Sequence, residues 1–312
     1  MDKHNVEAIY PLSPIQQGIF FHSVDQPESE AYFIQQYWTL DQRDVDVRAL
    51  KRAWQLAVDR HGILRTAFIW EYSGDPIQVV RRQVDLPWEE LDWRGLPAEA
   101  GNRRLEELLA ADRLRGFDLS KAPLTRLAFI HASESASILL WSYHHLLLDG
   151  WSVSILMSEV FATYDAIKHH KQIELPEPRS YRDYVMWSRG KDLSEAELFW
   201  RENLKGFSTP TPLGMGLQTG GSSPKDPKEG GYAKQKLEVS ESTTAALHLM
   251  SRKNGLTLNT ILQGVFALLL GRLSGHSDVV FGTSVSGRSP DLAGSESMLG
   301  VFINTLPTRV RI

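Results

Sequence analysis

The chain has 312 residues, 42% of them hydrophobic, and a formal net charge of -4. That is enough apolar material for one large or two medium domains, and the mild acidity argues against the basic face that a nucleic-acid or anionic-membrane partner calls for. With no cysteine there is no disulfide framework, thiolate nucleophile or thiolate metal site. The first residues lack the apolar core of a signal peptide. No apolar run approaches the ~20 residues of a membrane span, so a soluble, cytoplasmic protein is expected.

Asp46 is placed to cap a helix in which Leu50, Ala53, Trp54, Ala57, Val58 and His61 recur at helical spacing. Leu124 to Ile130 and Ser137 to His145 are β-prone runs separated by Ala132-Ser133-Glu134-Ser135-Ala136, a hairpin signal. Val153, Leu156, Val160, Phe161 and Tyr164 form another helical stripe. From Gly206 to Gly231 the chain is rich in Gly, Pro, Ser, Thr and Lys and reads as an exposed loop near the junction of two halves. Lys234 to Val239 follows as a strand. Leu258, Ile261, Leu262, Val265, Phe266, Leu269 and Leu270 mark a helix, Asp278 to Ser284 a buried strand, and Val301 to Arg309 a further strand. Helices and strands interleave throughout, so the fold class is mixed α and β (α+β).

The chemistry concentrates at His144-His145-Leu146-Leu147-Leu148-Asp149-Gly150. On a strand, side chains alternate, so Ser142 and His144 share one face while Tyr143 and His145 share the other. Two histidines pointing apart are poor partners for one metal, and no third ligand stands at the right spacing. A structural and a cavity-facing role are expected instead. Gly150 permits a tight backbone, and Trp151-Ser152 opens a helix whose first N–H groups are unpaired. A histidine beside such donors suits acyl transfer: the imidazole accepts or positions a proton, and an N–H stabilises a developing oxyanion. No Gly-x-Ser-x-Gly elbow is present, which argues against a serine hydrolase. Lys168-His169-His170-Lys171 reads as a solvated run.

The His-His-x-x-x-Asp-Gly string resembles the signature of nonribosomal peptide synthetase condensation domains, which share their fold with chloramphenicol acetyltransferase. Leu12-Ser13-Pro14-Ile15-Gln16-Gln17-Gly18, Arg60-His61-Gly62-Ile63-Leu64-Arg65, Tyr181-Arg182-Asp183-Tyr184, Ser286-Gly287-Arg288 and Gly300-Val301-Phe302-Ile303-Asn304 resemble further family motifs, in the family's order. The resemblance implies two acetyltransferase-like lobes in a V shape, residues 1–176 and the first part of a second lobe at 177–312. It implies His145 as the catalytic histidine, with His144 and Gly150 beside it. Asp149 is expected to be structural and paired with Arg65, with Trp151 also supporting the site. Ser13, Gln16 and Asn304 are expected near the tunnel or lobe interface. No metal or intrinsic cofactor is implied. The 4'-phosphopantetheine arms arrive on upstream donor and downstream acceptor carrier proteins, and epimerisation and adenylation domains are expected as neighbours.

Tyr10-Pro11-Leu12-Ser13-Pro14 and Asp149-Gly150-Trp151-Ser152 look like domains that accept a D-configured donor. An epimerisation domain is the nearest alternative, although its usual order after Asp-Gly differs from Trp151-Ser152. A non-catalytic recruiting domain is a second alternative, and such domains usually lack the histidine found at 145. Family members continue past the fifth motif, so a chain ending at Ile312 is expected to be weakly active or inactive by itself.

Overall fold

A computed structural model describes residues 3–26, 29–70, 74–212 and 236–312. The chain forms two compact units, Met1–Lys191 with Ser286–Asn304, and Asp192–Val285 with Thr305–Ile312. The first therefore extends beyond the expected division at 176/177, because Tyr181 and Tyr184 bury themselves against Phe302 at ring distances of 5.3 and 4.4 Å. The expected loop from Gly206 to Gly231 lies largely outside the described residues.

In the first unit, β1 (Val6–Pro11), β4 (Ile77–Arg81) and β3 (Thr66–Ile69) form an antiparallel sheet in the order β1-β4-β3. The main sheet has the order β2-β7-β6-β5, from β2 (Phe33–Asp41), β7 (Ala136–His144), β6 (Thr125–His131) and β5 (Trp88–Asp92). The expected hairpin is β6–β7, paired from Thr125 opposite Tyr143 to His131 opposite Ser137. β7 is central, and its residues from Leu139 to His144 are all buried. That double burial is why it reads as a nearly continuous apolar run rather than an alternating one.

α2 (Val47–Arg60) begins as expected, with Asp46 Oδ1 accepting the Ala49 amide at 2.9 Å. It packs with α4 (Gly150–Lys168), and its Trp54 lies 5.0 Å from Trp141, which stacks on Tyr143 at 4.4 Å. α3 (Ala98–Arg115) buries no residue. It is tied down by polar contacts instead: Asp112 accepts from Arg126 Nε and from Ser142 Oγ, each at 2.5 Å. α1 (Pro14–Asp25) and α5 (Tyr181–Arg189) complete the unit.

The second unit contains α6 (Ser194–Asn203), α7 (Glu241–Asn254), α8 (Leu258–Ser274), β8 (Asp278–Val285) and, from Thr305 on, β9 (Asn304–Arg311). Its small core is Ala267, Leu270 and Val279. Two strand expectations need correction. Residues 236–239 form no strand, and positions 234 and 235 lie outside the described residues. The strand expected from Val301 starts only at Asn304, because the Phe302 and Ile303 amides donate to Asp149 instead of a neighbouring strand. β8 forms, but Val279 is its only fully buried residue. Among the described residues, no single helix is long and apolar enough to cross a membrane.

Candidate active site

The strand carrying the histidines stops at His144. The His145 amide donates to the Tyr32 carbonyl at 2.9 Å, just outside β2, and the Leu147 amide turns back to the His144 carbonyl at 3.0 Å. Leu146, Leu147 and Leu148 are fully buried and anchor this turn beneath the surface.

The two imidazoles differ sharply. His144 is 7% exposed. Its Nδ1 accepts the Leu146 amide at 3.2 Å and its Nε2 lies 3.4 Å from Ser23 Oγ. Burial, aided by neighbouring His145, pushes its pKa down to about 3, so the ring is neutral. His144 also lines a cavity of about 390 Å³ with Tyr32, Phe33, Arg113 and Phe117. His145 is half-buried, and its Nδ1 has no hydrogen-bond partner. It is thus the imidazole of the pair that the fold leaves uncommitted.

Asp149 caps α4. Oδ1 accepts the Ser152 amide at 2.8 Å and Arg288 Nη2 at 3.5 Å; Oδ2 accepts the Phe302 and Ile303 amides at 2.9 and 3.2 Å. A carboxylate offers about four lone-pair sites, and all are engaged, so Asp149 has no capacity left to act as a base. Ser152 Oγ donates to the Gly300 carbonyl at 2.7 Å and accepts from the Gly300 amide and Arg288 Nη2 at 3.1 and 2.8 Å. Arg288 also lies 3.9 Å over the Phe302 ring. The start of α4 is therefore fastened to the returning 286–304 segment.

The expected Asp149–Arg65 pair does not form. Arg65 Nη1 bonds Glu7 Oε2 at 2.6 Å, and Arg65 also donates to the carbonyls of Val58, Arg81 and Arg82. It joins α2 to β1 and β4, and the buried cation facing Asp149 is Arg288. Ser13 and Gln16, expected near the tunnel or lobe interface, are both 0% exposed. They form a capping box at α1, with Ser13 Oγ accepting the Gln16 amide and Gln16 Oε1 accepting the Ser13 amide. Gln16 Nε2 then holds the Leu146 carbonyl at 3.0 Å.

Gly150 is not a left-handed turn residue. It is the first helical residue of α4, it is exposed, and a Cβ built on it meets nothing within 4 Å. The amides of Gly150 and Trp151, in that first turn, have no intrahelical acceptor. Trp151 is 54% exposed, and its Nε1 donates to the Glu296 carbonyl at 3.1 Å. Asn304 is exposed at the start of β9.

Sequence reasoning missed the roles of Arg288 and Ser152. It also missed Tyr181, whose buried hydroxyl donates to the Val301 carbonyl at 2.7 Å and lies 3.0 Å from Ser13 Oγ. It missed the clamp on α4 made by Arg60 and His61, which hold Glu159 at 3.3 and 2.7 Å. The signal was present, because all of these except Glu159 stand in or beside the quoted motifs.

The model of the condensation-domain family matches residues 6–312. The chain is 46% identical over 99% of its length to a linear gramicidin synthase polypeptide of Brevibacillus parabrevis. It is 36% identical over 98% of its length to bacitracin synthase 3 of Bacillus licheniformis. It spans only 4% and 5% of those two proteins. In fold it resembles the first condensation domain of the calcium-dependent antibiotic synthetase, solved with a substrate analogue. The TM-score is 0.76 at 19% identity, covering 99% of this chain and 71% of that one. The expected resemblance is thereby established: the chain belongs to the condensation-domain family of nonribosomal peptide synthetases.

Proposed function

We propose that this chain joins a carrier-bound donor to a carrier-bound acceptor by aminolysis of a thioester. The acceptor's α-amine attacks the donor carbonyl carbon. A C–N bond forms, the C–S bond breaks, and the phosphopantetheine sulfur of the donor carrier leaves as a thiol with the proton the nitrogen loses. His145 orients the amine and handles that proton. An amide at the start of α4, at Gly150 or Trp151, faces the oxyanion, aided by the positive end of the helix. The observation that carries this reading is the contrast at the turn: His144 and Asp149 have every polar atom engaged, while His145 Nδ1 has no partner.

The donor is D-configured, on the strength of the motifs around Leu12-Ser13-Pro14 and Asp149-Gly150-Trp151-Ser152. The partners are an upstream and a downstream carrier protein, with epimerisation and adenylation domains adjacent, in the cytoplasm. The test mixes the protein, extended to full domain length, with a donor carrier bearing a D- or L-aminoacyl arm and an acceptor carrier bearing an L-aminoacyl arm. Intact-carrier mass spectrometry reads the acceptor. A dipeptidyl mass with the D donor, lost in His145→Ala, supports both reaction and subtype. No dipeptide from either donor overturns condensation; inversion of the donor then indicates epimerisation, and unchanged donors a recruiting role.

A further inference from the structure

The turn bearing His145 is held at four points. Three are the bonds from the His145 amide to Tyr32, from the Leu147 amide to His144, and from Gln16 Nε2 to the Leu146 carbonyl. The fourth is the His144 ring itself, whose Nδ1 takes the Leu146 amide at 3.2 Å. A ring nitrogen accepts a hydrogen bond only when it carries no proton. In a neutral imidazole the proton must then sit on Nε2.

The other end of the ring fits that assignment. Ser23 Oγ lies 3.4 Å from Nε2 and gives its own proton to the Ile19 carbonyl at 2.7 Å. The serine oxygen therefore faces the ring with lone pairs and can only accept. With the proton on Nδ1 instead, that N–H would confront the Leu146 N–H, and Nε2 would face a hydroxyl with nothing to donate. A 3.4 Å contact is long for a hydrogen bond, so it selects the orientation of the ring more than it stabilises the fold.

We propose that Ser23 and His144 are positioning residues for His145: Ser23 acts with the Leu146 amide to select the Nε2–H tautomer of His144, and the bare Nδ1 anchors the Leu146 amide that sets where the His145 imidazole stands. This rests on His145 being the catalytic group. The effect runs through the backbone, since residues 145 and 146 are adjacent and a displacement of about 1 Å at a reacting group can cost on the order of 100-fold in rate.

The test labels the histidines of the whole protein with 15N and reads the protonation of each ring nitrogen by NMR at pH 7. The His144 signals are assigned from their loss in His144→Asn. In the wild type, Nε2 should carry the proton and Nδ1 should not. Ser23→Ala and Ser23→Val should lose that single pattern and slow amide formation about tenfold at saturating carriers, with the acceptor KM changed less than about twofold. Ser23→Thr keeps a hydroxyl and should restore both readouts. An Nδ1-protonated ring in the wild type overturns the inference, as does either apolar variant with its tautomer unchanged. If the tautomer and its dependence on Ser23 hold but the wild type forms no amide, the positioning role falls together with the catalytic reading of His145.

Discussion

Asp149 and Arg288 stand 139 residues apart in sequence, yet their side chains meet at 3.5 Å with only 3% and 4% exposure. Removing one partner of a buried pair typically costs about 3–5 kcal/mol, because the survivor's charge is stranded. Asp149→Ala should therefore destabilise the first unit by about that amount, and it also orphans the Phe302 and Ile303 amides. Arg288→Met should be less damaging, since Asp149 keeps three amide donors. Urea unfolding of both single variants and the double variant checks this, with a double-variant loss well below the sum. Arg65→Met combined with Asp149→Ala should instead be additive, because Arg65 serves Glu7.

Gly150→Ala separates fold from chemistry. With open space around the position and a helical backbone, alanine should leave the melting temperature unchanged or raise it, because glycine is the poorer helix former. If the amine and thioester meet beside α4, the same substitution should cut amide formation at least about tenfold by crowding the reactants. Calorimetry and the carrier assay on one preparation read both; a lowered melting temperature would show that Gly150 serves the fold.

The two histidines should respond oppositely to removal. His145→Ala deletes a ring whose Nδ1 has no partner, so stability should change by less than about 1 kcal/mol while activity is lost. His144→Ala orphans the Leu146 amide and opens a buried space, and should cost about 2–4 kcal/mol. Thermal unfolding of the pair distinguishes them.

His144 also gives the fold an acid sensitivity with a definite sign. Its pKa falls from 6.5 unfolded to about 3 folded, so between those values the unfolded chain binds the extra proton. Stability from this group is complete above pH 6.5 and declines as pH falls toward 3, by at most about 1.4 kcal/mol per pH unit. Between about pH 6.5 and 5, His144→Asn should flatten the measured slope by about one proton. An unchanged slope would show that His144 titrates normally in the fold.

Gly287 and Gly300 have no room for a side chain. A Cβ at Gly300 would collide with the Tyr181 ring, and one at Gly287 with the Phe302 carbonyl oxygen, where φ is also +64°. Either alanine substitution should cost about 1–3 kcal/mol or more. Both should loosen the 286–304 segment, visible as faster hydrogen exchange at the Phe302 amide.

What could be read from the sequence was local or repetitive. The Asp46 cap, the β6–β7 hairpin and the helix behind Leu258 depend on neighbours a few residues away, and all three stand as expected. Ser13-Pro14-Ile15-Gln16 is a capping box readable on its own from its spacing. The partner of Asp149 was not legible, because two motif arginines were available and a sequence carries no distances. The start of β9 slipped by three residues for the same reason: the donors of Phe302 and Ile303 are claimed by a carboxylate more than 150 positions earlier.

The first unit is discontinuous, and that sets an order of events at the ribosome. At about 5–20 residues per second, the 139 residues between Asp149 and Arg288 take roughly 7 to 28 s to synthesise. Throughout that interval the nascent chain holds the complete β2-β7-β6-β5 sheet and the histidine turn, but the mouth of α4 has neither its arginine nor the two amides that engage its carboxylate. Water must hold that charge until the distant segment emerges. The segment that fastens the start of α4 is thus among the last parts of the unit to be made, and a nascent chain of this protein is expected to acquire a protease-resistant first unit only after residue 304 has left the exit tunnel.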